Sequence, residues 1–205
     1  MARPPKDSQI RITEILDTAE HLFTINGYCG TTINDIAKEM SVAQGMPYYY
    51  FKSKEEILEA LVNRHISSII AEIKAVTCSD SMTPLRKIEL TLFILLRSVR
   101  YKDGLLFYTL RNEQHLHMKE RVAHLAKSLF TPLLLTVIEE GIRTQSFHVS
   151  HLKTTLAFIL IIIEPLYDAL YEKMSAELLS HRLRMAEALI EKALGLQEAM
   201  IHISL

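Results

Sequence analysis

The chain has 205 residues, of which 49% are hydrophobic and 23% charged, and its formal net charge at pH 7 is −1. This composition predicts a packed core and excludes wholesale disorder, and the near-neutral charge excludes a global positive field toward nucleic acid. The 6 Gly and 6 Pro are too few for the tight turns of a β-sandwich or an α/β fold, so the fold class is predicted to be all-α. Two cysteines cannot build a disulfide framework, which favours a cytoplasmic location.

The first predicted element is an amphipathic helix that ends near residue 26. Its apolar positions follow the 3.6-residue period of one helix face. They are Ile12, Ile15, Leu16, Ala19 and Phe23. Asn26-Gly27 supplies the stop, because glycine accepts the left-handed conformation that follows a helix.

Two short helices are predicted next, separated by a tight break at Ser41-Val42. Thr32 and Asp35 have the spacing of a capping box, so a helix is expected to begin after Thr32. A second short helix is predicted over 44–50. Two short helices joined by a turn of three or four residues form a helix-turn-helix candidate. Pro47 lies inside the second helix, so we expect that helix to be irregular or to begin near Pro47, with Met46 pushed out of the α region.

A long helix follows, predicted to begin after the capping residue Ser53, with Glu56 reaching back, and to run to about Val76. Further helices are predicted near 84–101, 104–111, 117–144, 151–174 and 176–194, with Pro132 and Pro165 bending two of them. The most apolar stretch, residues 156–163, is too short to span a membrane, so no membrane partner is expected.

The region from Thr32 to Lys54, with the helix before it, resembles the N-terminal domain of the TetR family of transcriptional regulators. The resemblance rests on Leu22-Phe23, Asn26-Gly27-Tyr28, Thr31-Thr32, Ile36-Ala37, the run from Val42 to Phe51, and the run from Lys52 to Leu58. It implies a DNA-binding helix-turn-helix domain over residues 1–54 and a helical ligand-binding and dimerisation domain over 55–205. It also implies a repressor that a small molecule releases from a palindromic DNA operator. A DNA binder controlled by a protein partner is the alternative.

The same resemblance implies which residues meet DNA. They are Ala43, Gln44, Gly45, Met46, Tyr48, Tyr49 and Lys54. The chemistry of the residues agrees, since the Gln44 amide suits adenine, Gly45 permits close backbone approach, and tyrosine hydroxyls can donate to phosphates. Thr31 and Thr32 are added because hydroxyl and amide donors at a helix N-terminus suit a phosphate.

Residues 1–54 contain six Lys/Arg and six Asp/Glu, so DNA binding depends on how these charges are segregated. The cations at the ends of the candidate surface are Arg3, Lys6, Arg11, Lys52 and Lys54. Asp17 and Glu20 belong to the first helix and are expected to face away. Solvated surface is the alternative role for the lysines.

The last two helices are predicted to form a homodimer, because they carry wide apolar faces and a two-fold operator requires a two-fold protein. These faces consist of Leu156, Ile159, Leu160, Ile163, Leu166, Leu183, Ala186, Leu189 and Ile190.

A pocket for the small molecule is predicted in the second domain, since such sites are mostly apolar with a few polar anchors. The candidate lining residues are Tyr101, Phe107, Tyr108, Arg111, Phe158, Glu164, Tyr167 and Tyr171. For Glu164, a ligand contact, a salt bridge across a dimer interface and plain solvent exposure remain open. For the aromatic residues in this list, core packing is the alternative.

No cofactor and no metal site are expected. His117 and His124 share a helix face but lie about 10 Å apart at 1.5 Å per residue, which is too far for one mononuclear site. His115 joins this histidine cluster, and a metal sensor stays a minor alternative. The sequence contains no catalytic motif, so the protein is not predicted to be an enzyme; a helical interaction protein or enzyme with a degenerate helix-turn-helix is the remaining rival.

Overall fold

The computed structural model describes residues 8–99 and 116–203. These residues form seven α-helices and one 3₁₀ turn and contain no strand, which confirms the all-α prediction. The chain divides into two compact units between His65 and Ile66, inside a long helix. The predicted boundary after Lys54 separates DNA binding from ligand binding and dimerisation rather than two compact units, so it stays a prediction.

The first unit is built on four elements. They are α1 (Ser8–Asn26), α2 (Ile33–Glu39), a 3₁₀ turn (Pro47–Tyr49) and the first half of α3 (Lys54–Thr77). Gly27 has φ of +76°, so it ends α1 in the left-handed conformation that the sequence predicted. The core of this unit is formed mainly by buried aliphatic side chains of α1, α2 and α3, among them Ile15, Leu16, Ala19, Ile36, Ile57, Leu58 and Leu61.

The second unit contains the rest of α3 and four further helices. They are α4 (Pro84–Arg97), α5 (Leu116–Arg143), α6 (Leu152–Tyr171) and α7 (Ala176–Leu194). Thr83 caps α4 with Pro84 at its first position, as predicted. Pro132 lies within α5 and Pro165 within α6. The helix predicted over 104–111 lies outside the described residues.

The apolar faces predicted for a partner copy are instead the core of this chain. Leu156, Ile159, Ile163, Leu166, Ala186 and Ile190 are buried in one cluster with α4 and α5, and Leu160 and Leu183 pack against it. Of the predicted set only Leu189 is an exposed large side chain. The prediction was wrong because helical periodicity shows that a face is buried and not which chain buries it.

A different apolar surface of α6 and α7 is exposed. Phe158 and Ile161 are 58% and 59% exposed on α6, and Met185 and Leu189 are 63% and 45% exposed on α7. Their spacings of three and four residues place each pair on one helix face. We call these four residues the exposed apolar face. Among the described helices, α6 alone is long and apolar enough to cross a membrane by length and composition, with a third of it buried.

The segment after α7 returns to the core as a strap. Ile201 and Ile203 are buried in the same cluster as α6 and α7. The buried Glu191 carboxylate accepts hydrogen bonds from the N–H groups of Met200 and Ile201, both at 2.7 Å. Because a buried carboxylate is costly without such partners, Glu191 fixes the strap on α7. Sequence reasoning did not predict this segment.

Candidate nucleic-acid interface

The first half of the helix-turn-helix begins with the predicted capping box. Thr32 Oγ1 accepts from the Asp35 N–H at 3.2 Å, and the Thr32 N–H donates to Asp35 Oδ2 at 2.8 Å. The Thr32 hydroxyl also donates to Asp35 Oδ2 at 2.6 Å. These hydrogen bonds from Thr32 lower the pKa of the Asp35 carboxyl. Thr32 is exposed, but its hydroxyl proton serves the cap and the carboxylate places negative charge at the start of α2.

Acid should therefore weaken α2. Since the pKa of Asp35 is lower in the folded state, its contribution is fully present above the ordinary carboxyl pKa and is lost as the pH falls through the folded value. We expect Asp35→Ala to lower the Tm at pH 7, and the difference from the wild type to shrink below about pH 4. Thermal melts against pH measure this, with the neighbouring Asn34→Ala as control. A pH-independent difference would contradict the assignment.

The second half of the helix-turn-helix is a turn rather than an α-helix. The Met46 N–H donates to the Ala43 carbonyl at 2.9 Å, and the Tyr50 N–H donates to the Pro47 carbonyl at 3.0 Å, which closes the 3₁₀ turn. Pro47 is the first residue of this turn. Because proline has no N–H, it cannot supply the hydrogen bond that an α-helix beginning further upstream would need at this position. Met46 nevertheless stays in the α region, with φ −63° and ψ −45°, so the expectation that Pro47 displaces it was wrong.

This turn presents its side chains to solvent. Tyr48 is 51% exposed and Tyr49 is 87% exposed. Pro47 and Phe51 are buried on either side of them and hold the segment on the domain. Ala43, Gln44 and Gly45 are also exposed, and Met46 is half-buried. We call residues 43–49 the reading loop, which brings together the predicted contacts between Ala43 and Tyr49.

The other two predicted contacts point into the domain. The Thr31 side chain is fully buried, and its hydroxyl donates to the carbonyls of Leu22 and Gly27 at 3.2 and 3.0 Å. The Lys54 ammonium donates to the carbonyls of Tyr28 and Thr31 at 2.8 and 2.9 Å. Tyr28 was missed as a partner; the aromatic residue directly after Asn26-Gly27 was the available signal.

The acidic residues of α1 are paired inside this unit. Arg64 of α3 binds Asp17 at 2.6 Å and Glu20 at 3.2 Å, and Arg11 binds Glu14 at 2.9 Å. Arg64 therefore offsets the two acids that were expected to face away from DNA. Lys38 and Lys52 are exposed. Arg3 and Lys6 lie outside the described residues.

The predicted pocket residues do not all lie in the same environment. Phe158 and Glu164 are exposed on α6, whereas Tyr167 and Tyr171 pack against the core. Burial raises the pKa of the Tyr167 phenol well above its ordinary value. The exposure of Glu164 favours the solvent and dimer-interface roles. The others, Tyr101, Phe107, Tyr108 and Arg111, lie outside the described residues.

The metal alternative gains no support from the part of the chain that the structure describes, which holds no group of three or more ligand-type side chains. His124 is exposed on α5 and His115 lies outside the described ranges.

Comparison with known proteins places the helix-turn-helix in a family. Residues 15–61 match the sequence profile of bacterial regulatory proteins of the tetR family. The chain is 28% identical over 171 residues to the HTH-type transcriptional repressor KstR2 of Rhodococcus jostii, which covers 77% of this chain and 79% of that protein.

Solved structures share the fold. A TetR/AcrR-family regulator from Thermobifida fusca aligns over 86% of this chain and 96% of its own, with a TM-score of 0.65 and 24% identity. FadR from Bacillus subtilis, solved with stearoyl-CoA, aligns over 93% of this chain and 99% of its own, with a TM-score of 0.65 and 20% identity. With its capped α2, its exposed reading loop and this match over residues 15–61, the N-terminal region of the chain is a helix-turn-helix domain of the tetR family of bacterial regulatory proteins.

Proposed function

We propose that the protein is a cytoplasmic repressor that binds a palindromic DNA operator as a homodimer and is released by a small molecule. The observation that carries this proposal is the exposure of Tyr48 and Tyr49 between the buried anchors Pro47 and Phe51. Exposed tyrosines are enriched at interfaces, because the ring supplies apolar contact area and the hydroxyl a hydrogen bond. In a helix-turn-helix domain, that interface is duplex DNA.

The reading loop supplies both kinds of DNA contact. The exposed Gln44 side chain has the donor and acceptor that pair with adenine in the major groove. Ala43 and Met46 are suited to a thymine methyl group, and the Tyr48 and Tyr49 hydroxyls to phosphate oxygens. Thr32 is not proposed as a phosphate donor, because its N–H and its hydroxyl both donate to the Asp35 carboxylate.

Gly45 gives a clean test of close approach. A Cβ added at Gly45 would meet no atom within 4 Å, and the residue does not have positive φ. Gly45→Ala should therefore leave the Tm unchanged while reducing DNA affinity, by about tenfold if the methyl group displaces one good contact. Fluorescence anisotropy and thermal melts measure the two effects. Full affinity in the folded variant would place the Gly45 backbone away from DNA.

The homodimer is proposed to form through α6 and α7. The exposed apolar face of Phe158, Ile161, Met185 and Leu189 provides the surface, and apolar patches on the outside of a folded chain commonly mark interfaces. A two-fold pair of such helices makes a four-helix bundle. A two-fold operator would require the two reading loops to enter successive major grooves about 34–36 Å apart.

Release is proposed to follow from ligand binding in the second unit. The helix α3 contributes residues to both units, so a change in the second unit has a covalent route to the first. The small molecule must prefer the arrangement that does not fit the operator, because only differential affinity shifts a population. The core-packed Tyr167 and Tyr171 are the described candidates for polar anchors. Since FadR was solved with stearoyl-CoA, long-chain acyl-CoAs are the first ligands to test.

The experiment is selection of bound sites from random duplexes, followed by salt titration on the recovered site. We expect a palindromic sequence and a log–log salt slope of several units, because each neutralised phosphate contributes about 0.9 to the slope. Failure to recover any site, or a flat salt response, would overturn the proposal. The Lys38→Met and Lys52→Met variants should each lower the slope by about one unit if these exposed lysines meet phosphates.

A ligand screen on the recovered site separates the alternatives. Release of DNA by a purified small molecule supports the proposal. Release only by a co-purified protein favours control by a protein partner. No DNA binding at all favours a helical interaction protein or enzyme with a degenerate helix-turn-helix.

A further inference from the structure

The start of α3 and the connection between α1 and α2 meet at one lysine. The Lys54 Nζ atom lies 2.8 Å from the Tyr28 carbonyl oxygen and 2.9 Å from the Thr31 carbonyl oxygen. It also lies 4.2 Å from the centroid of the Tyr28 ring. An ammonium group has three N–H donors, so two carbonyls and one ring face account for all of them.

The ring that receives this cation is itself fixed. Tyr28 is buried, and its ring packs edge-on against Phe23 with centroids 5.2 Å apart. Its hydroxyl donates to Oε1 of Glu55, the residue after Lys54, at 3.1 Å. The Tyr28 side chain thus reaches from the α1–α2 connection to α3, and the Lys54 side chain reaches from α3 back to that connection.

The connection held by Lys54 leads directly into the capping box of α2. Thr31 is buried with its hydroxyl bonded to α1 and the Gly27 carbonyl, and its own carbonyl is held by Lys54. The next residue, Thr32, caps α2, and α2 in turn contacts the 3₁₀ turn that carries Tyr48 and Tyr49. A shift of the Lys54 ammonium would therefore move the support of the reading loop.

We propose that Lys54 is a positioning residue for DNA recognition, which joins the α1–α2 connection to α3 and makes no phosphate contact of its own. This inference rests on the proposed function, because its final effect is on DNA affinity. It departs from the role that the family resemblance implies for a lysine at the start of this helix. The reason is geometric, since the ammonium is already saturated inside the domain.

Two lysines two residues apart provide the test. Lys54→Met removes the internal contacts, and Lys52→Met removes an exposed charge. DNA affinity and its salt slope are measured on the selected site with the full-length variants. The temperature is kept low, and circular dichroism is used to check that each variant is folded under these conditions. For Lys54→Met we expect a loss of about tenfold or more with an unchanged salt slope. For Lys52→Met we expect a slope lower by about one unit.

Two results would overturn the inference. A salt slope that falls by one unit in Lys54→Met would identify a phosphate contact. Full affinity in the folded Lys54→Met protein would make the residue merely structural. If Lys54→Met does not fold, Lys54→Gln replaces it, because a neutral amide retains donors for the carbonyls. The inference then requires that Lys54→Gln keep the wild-type salt slope.

The inference and the proposed function fail in different ways. If the wild type binds no DNA, the proposed function fails. The junction that Lys54 forms with Tyr28 and Thr31 can still be tested by thermal melting without DNA. Lys54→Met should then lower the Tm by about 2–4 °C and Lys52→Met should not. The Tyr28 ring resonances should shift in Lys54→Met alone. If Lys54→Met has the Tm of the wild type and unshifted Tyr28 resonances, the Lys54 contacts do not exist in solution.

Discussion

Replacing Ile161 by glutamate is expected to convert the proposed homodimer to a monomer and to lower its affinity for a two-fold DNA site by about a hundredfold or more. Ile161 is 59% exposed on the outer face of α6, close in sequence to Phe158, which is 58% exposed. In a two-fold interface, one substitution places a charge on each side of the same contact. Desolvating an unpaired carboxylate costs several kcal/mol, and every 1.4 kcal/mol is a factor of about ten.

The matched control is Ile142→Glu, which introduces the same charge at another exposed isoleucine of the second unit. Ile142 is 38% exposed near the end of α5, outside the exposed apolar face. Light scattering and sedimentation should show a dimer for Ile142→Glu and a monomer for Ile161→Glu, with equal helicity in both. A stable dimer in the Ile161→Glu variant would mean that the chain does not dimerise through α6.

The elements themselves could be predicted from local chemistry. Thr32 and Asp35, Ser53, Thr83 with Pro84, and the end of α1 at Gly27 all act where the sequence placed them. Each signal depends on a few adjacent residues, so it survives in any tertiary context. One detail differs, since Glu56 accepts from the Lys52 N–H rather than from the capping Ser53.

The orientation of individual side chains could not be predicted in the same way. Lys54 has the charge of a phosphate contact, and only the three-dimensional position of Tyr28 and Thr31 directs it inward. The same holds for α6, where both Ile159 and Ile161 are isoleucines of one apolar run, yet the first is buried and the second exposed. A helix that is apolar on both sides does not reveal which side its own chain covers.

The conformation of the reading loop could not be predicted from its sequence. Five of its seven residues are exposed, but Pro47 is buried and converts the expected helix into a turn followed by a 3₁₀ turn. The strap of Ile201 and Ile203 left no sequence signal, because its support is a glutamate ten residues earlier. Such contacts between a helix and a distant backbone segment are decided by the packed core.

Phe147→Ala should strongly destabilise the second unit. Phe147 is 2% exposed in the core cluster of α4 to α7, and removing a buried phenylalanine ring costs about 3–5 kcal/mol of unfolding free energy. Gly141 of α5 lies directly beneath the ring. A Cβ built on Gly141 would lie 2.0 Å from Phe147 Cδ2, so the helix carries a glycine there to admit the ring.

This contact predicts a change of sign in a double-mutant cycle. Gly141→Ala alone should destabilise the protein by about 1–3 kcal/mol, because the added methyl group would overlap a ring that is packed in the core. In the Phe147→Ala background the same change should stabilise it by up to about 1 kcal/mol, since alanine is the better helix former and the ring is gone. Urea unfolding of the four proteins measures both steps, with Gly45→Ala as the control for a glycine in open space. Equal effects of Gly141→Ala in the two backgrounds would show that Phe147 does not fill the space above Gly141.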